Sequence, residues 1–355
     1  MLIKGRFLFW ILVGVVSFCF DTGAAQTPHQ EIKTKLAGLV NSVIMNAEGM
    51  VQGDVLVYQN QFFDLEFGDQ IPNKGTLEIN ALYRIVFDHD KQQYLMLFRK
   101  TFERLDPEKI GSGANGRSVR IQRYGIWLNV KEKQFLNLSG GRVFDLARAK
   151  REVTPENNFY DPRSIGTCVS SIDSGSFESS RKVATRKLAT GEGLLDVSHH
   201  DRFVELKFKV ATDHERGIDQ VRKIRFCNET NMPLTMTDYT KFAGGTSQPH
   251  EASFCWKEMS LVYVPTLIKL SAFRSYYEEG EEIWGQVTEE DHLHWFSLNE
   301  PIPEDLLNSK PIRDPKMFDQ LLDPKRNKAV TVLDAMKRRM PNQGNPDDTK
   351  SRRNR

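Results

Sequence analysis

The chain has 355 residues, of which 39% are hydrophobic and 27% charged, and its formal net charge is +2. This composition is sufficient for a large hydrophobic core. The near balance of charge excludes a protein that is held to nucleic acid by the overall charge of its body, so no nucleic-acid partner is expected.

The first 25 residues have the organisation of a secretory signal peptide. Lys4 and Arg6 precede an uncharged run over residues 7–20, and small residues ending at Ala25 follow where a signal peptidase cleaves. The run of about 14 residues is shorter than the roughly 20 that span a bilayer. We therefore predict cleavage after Ala25 and an exported mature chain, periplasmic or extracellular.

Two alternatives remain open for this segment. It could stay uncleaved as a membrane anchor, or Cys19 could carry a lipid, although Phe18 is bulkier than the residue that precedes a lipidation site. No later stretch is long and apolar enough to cross a membrane, so no transmembrane span is expected in the mature chain.

Residues 28–48 are predicted to form one amphipathic helix. Pro28 suits its first turn and Gly49 suits its end. Apolar residues recur at spacings of three and four, which places them on one stripe: Leu36, Leu39, Val40, Val43 and Ile44.

From Val51 onwards the apolar period changes to two, which is typical of β-strands. No helix-length pattern interrupts the strands predicted between residues 200 and 300. The clearest strand has four apolar residues expected to face the core, Val204, Leu206, Phe208 and Val210. We predict an α+β fold, in which a mainly antiparallel β-sheet is strongly curved or forms an incompletely closed barrel, with the N-terminal helix packed on it.

The chain is expected to divide into three segments. The signal peptide over residues 1–25 precedes a single curved-sheet domain over 26–305, which contains helices. A proline-containing, basic and largely disordered tail is predicted over 306–355, because residues 325–355 hold ten Lys or Arg against three Asp. The alternative function for this tail is an electrostatic arm that binds an anionic surface.

Three cysteines would remain after cleavage: Cys168, Cys227 and Cys255. Cys227 and Cys255 are predicted on strands that have another strand between them. Next-but-one strands lie about 10 Å apart, whereas a disulfide needs Cα atoms within roughly 7 Å. We therefore expect no disulfide between them and interpret both as buried small hydrophobic side chains.

The motifs of common catalytic sites are missing from the sequence. No phosphate loop, dinucleotide fingerprint or nucleophile elbow is present, so neither catalytic residues nor a cofactor is predicted. His292 and His294 would face one side of a strand and are candidate zinc ligands, with Asp291 or Glu290 near and His199, His200 and Asp201 as possible further donors. The alternative for His292 and His294 is a surface pair.

A third local group is Asp88-His89-Asp90, at the end of a predicted strand. A carboxylate beside an imidazole can serve in acid–base chemistry. Aspartate is also common in tight turns, and a hairpin turn is the favoured interpretation.

Three features together resemble the periplasmic lipoprotein-carrier family of the outer-membrane lipoprotein-sorting type. The first is the long amphipathic helix leading into antiparallel strands. The second is the hairpin pattern Gly125-Ile-Trp-Leu-Asn-Val-Lys-Glu-Lys-Gln-Phe135, and the third is the alternating strand from Leu77 to Phe87. The resemblance covers residues 30–140 and the strand order of 200–290. It implies an incompletely closed barrel that holds an acyl chain of a lipid or lipoprotein in an apolar cavity.

Two classes of function remain open at the level of sequence. The first is an exported, non-catalytic binding or carrier protein with an apolar ligand, bound without a charged anchor. The second is an exported hydrolase or metal-dependent enzyme whose site is scattered along the chain. The absence of every compact catalytic motif favours the first.

Overall fold

The computed structural model describes residues 28–64, 76–105, 117–145, 159–166, 190–213, 217–242, 244–278 and 281–323. The predicted signal peptide, Cys168 and the part of the tail beyond residue 323 lie outside these ranges. Within them, no helix is long and apolar enough to cross a membrane.

The N-terminal helix α1 spans Pro28–Glu48, as the sequence predicts. Its apolar stripe is buried, and Leu36 and Val40 are each 1% exposed. The helix lies over one end of strand β13 (Val262–Glu278), because Asn46 forms two hydrogen bonds with the backbone of Tyr263. Burial of this stripe, rather than helix propensity, fixes the helix to the sheet.

The described strands form one antiparallel sheet. Their spatial order is β6-β5-β4-β3-β2-β1-β14-β13-β12-β10-β9-β8-β7, and the short β11 pairs with β10. Besides β13, the bounds are β1 Gln52–Asp64, β2 Thr76–Asp88, β3 Gln93–Leu105, β4 Arg117–Asn129, β5 Gln134–Ser139, β6 Arg142–Asp145, β7 Leu194–His199, β8 Phe203–Asp213, β9 Ile218–Cys227, β10 Pro233–Phe242, β11 Gly245–Thr246, β12 His250–Met259 and β14 Glu281–Leu298.

Two consequences of this order define the architecture. The first strand β1 pairs with the last strand β14, which joins the two halves of the chain in the middle of the sheet. The sheet ends at β6 on one side and β7 on the other, so it is curved but not closed. The predicted α+β fold, with its antiparallel sheet and packed N-terminal helix, is confirmed.

The two faces of the sheet bury separate cores. The inner face packs against α1 and the segment around Phe159 and Ile165, and it includes Val57, Phe87 and Leu206. The outer face includes Leu56, Tyr58, Val86 and Leu95 and packs against residues 302–322. Cross-strand partners share a face, so the register assigns every strand residue to one face or the other.

The predicted boundary after residue 305 falls within a packed segment. Helix α2 (Lys310–Arg313) and helix α3 (Pro315–Leu321) follow it directly. Leu307, Ile312 and Phe318 are buried on the outer face, and the Trp127 indole donates a hydrogen bond to the Leu307 carbonyl at 2.8 Å. Residues 306–323 are therefore part of the fold, because their scattered apolar side chains find a partner in the sheet.

Strand β8 confirms three of its four predicted core residues. Val204, Leu206 and Phe208 are buried, whereas Val210 is 39% exposed, so the prediction for Val210 is wrong. The pairing of β8 with β9 shifts between Lys209 and Ala211, which makes Val210 the extra residue of a β-bulge. A bulge opposes two residues to one and breaks the alternation beyond it.

This register predicts unequal effects of substitution at neighbouring positions of β8. Leu206→Ala is expected to lower the free energy of unfolding by about 2–5 kcal/mol, because Leu206 is 1% exposed in the inner core. Lys207→Ala, on the outer face, is expected to change it by less than about 1 kcal/mol. Urea unfolding of both variants measures the difference, and equal losses would contradict the register.

Candidate functional site

A polar patch interrupts the otherwise apolar inner face. On β14, Val287, Glu289, Asp291 and Leu293 alternate with outer-face residues, so all four point to the inner side. Glu289 is 7% and Asp291 6% exposed. Two carboxylates are therefore buried on one face, two residues apart, between apolar neighbours. Such burial is costly for charged groups unless they find partners.

The neighbouring strands supply the other members of the patch. On β1, Gln59 is paired with Asp291 and Gln61 with Glu289. Across β2, the row of Gln59 continues through Ala81 to Lys100 on β3. The polar patch is defined here as Gln59, Gln61, Tyr83, Lys100, Glu289 and Asp291.

Glu289 is held by amide donors. The Gln59 Nε2 group donates to Glu289 Oε1 at 3.2 Å, and the Gln61 Nε2 group donates to Oε2 at 2.5 Å. The Tyr83 hydroxyl donates to Gln59 Oε1 at 3.1 Å, which fixes the orientation of that amide. The two amides therefore fix the position of the Glu289 carboxyl group against β1.

Asp291 is held differently. Burial raises its pKa well above the ordinary value of 3.8, and the charge of Glu289 and a hydrogen bond with that side chain raise it further, while a hydrogen bond from Gln59 and the charge of Lys100 lower it. Its Oδ1 atom is buried and accepts no hydrogen bond. An acceptor that is left without a donor in an apolar setting loses about 1–3 kcal/mol relative to water.

Lys100 and Tyr83 complete the electrostatics of the patch. Burial lowers the pKa of Lys100, although Glu289 and Asp291 act to raise it. The Lys100 ammonium lies 5.5 Å from the ring centroid of Tyr83 and 5.4 Å from that of Phe98. Burial and the two carboxylates raise the pKa of Tyr83, so its hydroxyl remains a donor at neutral pH.

An aromatic row adjoins the polar patch on the inner face. Tyr83, Phe98 and Tyr124 are paired across β2, β3 and β4. The ring centroids of Tyr83 and Phe98 are 5.4 Å apart, and those of Phe98 and Tyr124 are 4.9 Å apart. The rings of Phe98 and Tyr124 are stacked. All three are partly exposed. The arrangement offers apolar surface beside hydrogen-bond acceptors, which suits an amphipathic molecule.

The predicted metal candidates lie on the opposite side of the sheet. His292 and His294 share the outer face, because they are paired with Tyr58 and Leu56. His292 Nε2 lies 3.4 Å from Glu290 Oε2. Burial lowers the pKa of His294, and the nearby cations Arg84 and Lys257 lower it further.

The possible further ligands are not brought to this pair. His199 is on β7 at the edge of the sheet, and His200 directly follows that strand; five strands lie between β7 and β14. His199 lies beside Lys35, and the His200 ring stacks on Phe203. No group of three or more potential metal ligands occurs among the described residues. A metal site at His292 and His294 stays a prediction.

Two other sequence predictions are confirmed. Asp88, His89 and Asp90 form a hairpin turn between β2 and β3, where Asp88 Oδ1 accepts the Lys91 amide at 2.8 Å. The thiols of Cys227 and Cys255 are free, with β10 between their strands, but their expected burial is wrong, because Cys227 is only partly buried and Cys255 is exposed.

Comparisons with known proteins give only weak matches. No protein-family model matches the chain, and no curated protein matches it significantly. It is similar to a solved structure of a LolA superfamily protein from Nitrosomonas europaea, at 9% identity over 76% of this chain and 98% of that chain, with a TM-score of 0.32. It is also similar to a DUF1329 family protein from Desulfovibrio piger, at 9% identity over 78% of this chain and 98% of that chain, with a TM-score of 0.29.

The predicted resemblance to the lipoprotein-carrier family is confirmed as a weak one. At this identity and these TM-scores, neither match supports a conclusion about ligand or activity.

Sequence reasoning missed the polar patch, although the signal is present. On three strands a polar residue falls in phase with buried apolar ones: Glu289 and Asp291 between Val287 and Leu293, Gln59 and Gln61 between Val57 and Phe63, and Lys100 between Phe98 and Phe102. In each strand by itself, these residues only make the alternation of apolar and polar side chains irregular. Only the order β3-β2-β1-β14 brings the three irregularities together.

Proposed function

We propose that this chain is an exported, non-catalytic binding or carrier protein for a ligand with an apolar body, such as the acyl chain of a lipid or lipoprotein. Export rests on the predicted cleavage before Gln26. The observation that carries the proposal is the inner face itself, which combines a row of partly exposed aromatic rings with buried polar groups.

The size of the sheet supports this proposal. Thirteen strands at about 4.8 Å spacing give a width of roughly 60 Å, whereas a helix with its side chains is about 10–12 Å wide. Helix α1 lies at Tyr263 on β13, and the aromatic row lies on the far side of β1. The rings of Tyr83, Phe98 and Tyr124 stay partly exposed there, and partly exposed apolar surface of this kind is a binding surface in many proteins.

The energetics suit an acyl chain. Transfer of a methylene from water to an apolar site is worth about 0.8 kcal/mol, so a long chain binds usefully even when its head contributes little. Tyr83, Phe98 and Tyr124 provide a wide, rigid surface with little side-chain entropy to lose.

The test is titration of the purified mature protein with a fluorescent fatty acid, together with native mass spectrometry of material prepared without detergent. Saturable binding at micromolar concentration is expected. Phe98→Ala should weaken it by about tenfold, because the substitution removes the central ring of the row. Leu261→Ala, at a 92% exposed turn position, is the matched control and should leave binding unchanged. Absence of saturable binding and of co-purified lipid would contradict the proposal.

A further inference from the structure

Strand β4 runs past its neighbour β5 and leaves part of its edge unpaired. All of residues 117–129 pair with β3, but β5 pairs only with residues 124–129. Among the described strands, none pairs with residues 117–123 on the side away from β3. All seven of these residues are exposed. Such an edge presents backbone amides and carbonyls that another strand can pair with.

A groove of about 640 Å³ lies beside this open edge. It is walled by residues 121–123 of β4, by the turn between β5 and β6, and by helices α2 and α3. The turn is made by Gly140 and Gly141, and no atom lies within 4 Å of the position that a Cβ would take at either residue. The space in line with β5, where a further strand would lie, is therefore open.

The outer face of the open edge is apolar. Val119 and Ile121 alternate with Arg120 and lie on the same face as Gly125, which pairs with Leu97 of the outer core. They are 56% and 62% exposed, although Ile121 lines the groove beside the buried Phe318. Apolar side chains of an added strand would cover both residues, because cross-strand neighbours on one face contact each other.

The same edge is basic. Arginine occupies positions 117, 120 and 123 of β4, and Arg313 also lines the groove, whose described lining holds no Asp or Glu. Arg117 pairs with Glu103 at 2.7 Å and Arg123 with Asp319 at 3.2 Å, but both arginine side chains are more than half exposed. Arginine remains able to accept a further carboxylate in such a position, since its guanidinium carries five donors.

Charge argues against two occupants that the chain itself could supply. In a symmetric antiparallel pair of two copies centred on Arg120, that residue would face its own copy and Arg117 would face Arg123. Like charges directly opposite each other destabilise a strand pair. Residues 325–355 carry ten Lys or Arg against three Asp, so they have the same sign as the edge. An acidic segment has the complementary charge.

We propose that residues 117–123 of β4 are a docking site for an extended acidic segment of a partner protein, which adds to the sheet as an antiparallel strand in line with β5. Backbone hydrogen bonds supply affinity in this mode of recognition, and alternate side chains supply selectivity. Here the apolar side chains of the segment cover Val119 and Ile121, and its carboxylates face the arginines. The site is separate from the inner face and does not depend on the ligand proposed there.

The probe is a fluorescently labelled peptide of sequence Glu-Thr-Val-Glu-Val-Thr-Glu, titrated into the full mature chain at low ionic strength and followed by anisotropy. Paired antiparallel with residues 117–123, it places glutamate opposite each arginine and valine opposite Val119 and Ile121. Saturable binding is expected. The peptide Lys-Thr-Val-Lys-Val-Thr-Lys should bind about tenfold or more weakly, because three opposite-charge pairs become like-charge pairs.

Two variants of β4 and one control test the position of the site. Ile121→Glu should weaken binding of the acidic peptide by about tenfold, since it removes an apolar contact and adds a repelling charge. Leu195→Glu, at a 48% exposed position of the opposite edge strand β7, is the matched control and should leave binding unchanged. Arg120→Glu should bind Glu-Thr-Val-Lys-Val-Thr-Glu more tightly than the unmodified chain does. Circular dichroism checks that all three variants are folded.

Hydrogen exchange distinguishes strand addition from other modes of binding. Amides of residues 117–123 should exchange fast in the free chain and slowly with the acidic peptide bound. The proposal is overturned if the acidic peptide does not bind, if both peptides bind equally, or if protection appears elsewhere. Protection of this edge in the free monomer would assign it to another part of the chain, and protection that grows with protein concentration would assign it to a second copy. Either result also overturns the proposal.

Discussion

Replacement of Arg84 by Met is expected to lower the free energy of unfolding by about 3–5 kcal/mol, the usual effect of leaving a buried charge without its partner. Arg84 and Asp54 are each 4% exposed on the outer face, and Arg84 Nη2 donates to Asp54 Oδ2 at 2.6 Å. The guanidinium also lies 4.0 Å from the ring centroid of Phe296. Burial already raises the pKa of Asp54, and Arg84 opposes that rise. Without Arg84, the carboxylate has to be protonated or exposed.

A matched exposed pair provides the comparison. Arg225 and Glu205 are joined at 2.7 Å, but the Arg225 side chain is 45% exposed. Arg225→Met should therefore lower stability by no more than about 1 kcal/mol. The double variant Asp54→Leu/Arg84→Met should recover most of the loss, because apolar pairs of similar volume commonly replace buried ion pairs at little cost. Urea unfolding measures all three, and equal losses at Arg84 and Arg225 would show that burial does not control the effect.

Asp291→Asn is expected to stabilise the protein at neutral pH. The folded-state pKa of Asp291 is raised by burial and by Glu289, so the folded chain keeps a proton that the unfolded chain has lost. The stability associated with this group is complete below the unfolded pKa near 3.8 and falls as pH rises towards the folded pKa. The loss is about 1.4 kcal/mol for each pH unit in that window. Asparagine does not titrate, so the variant does not lose this stability as pH rises.

The measurement is the free energy of unfolding of both proteins at pH 4, 5.5 and 7. The difference between Asp291→Asn and the unmodified chain should grow with pH. Glu290→Gln provides a control of opposite sign, because burial raises the pKa of Glu290 but Lys269 and His292 together bring it below its usual value. That variant should lose a little stability as pH rises. A constant difference for Asp291→Asn across the range would contradict the raised pKa.

Local features of the chain were predictable wherever one residue pattern is enough to define an element. The helix Pro28–Glu48 follows from the stripe of Leu36 to Ile44, since burial of one face needs that spacing and little else. The turn at Asp88-His89-Asp90 follows from the turn chemistry of aspartate. The inward positions of Val204, Leu206 and Phe208 follow from an alternation that only a half-buried strand requires.

Other features depend on pairing between distant residues. Val210 was misplaced because a bulge is a property of two strands, and the shift appears only when β8 is aligned with β9. The segment 306–323 was predicted as part of a tail because its apolar residues recur with neither the helical nor the strand period. In the structure, Leu307, Ile312 and Phe318 pack on the outer face of the sheet. His292 and His294 do share a face, but strand order keeps His199 and His200 away from them.

By itself, the sequence determined the helix, the antiparallel strands and the α+β class of the fold, because each of these rests on a local hydrophobic period. The tertiary structure decided where the polar residues meet. The patch residues Gln59, Lys100, Glu289 and Asp291 span 232 positions of the chain, and only the pairing of β1 with β14 and with β2, and of β2 with β3, places them together. Burial then sets their chemistry, since the pKa of Asp291 depends on the apolar neighbours and on Glu289, which the folded sheet holds around it.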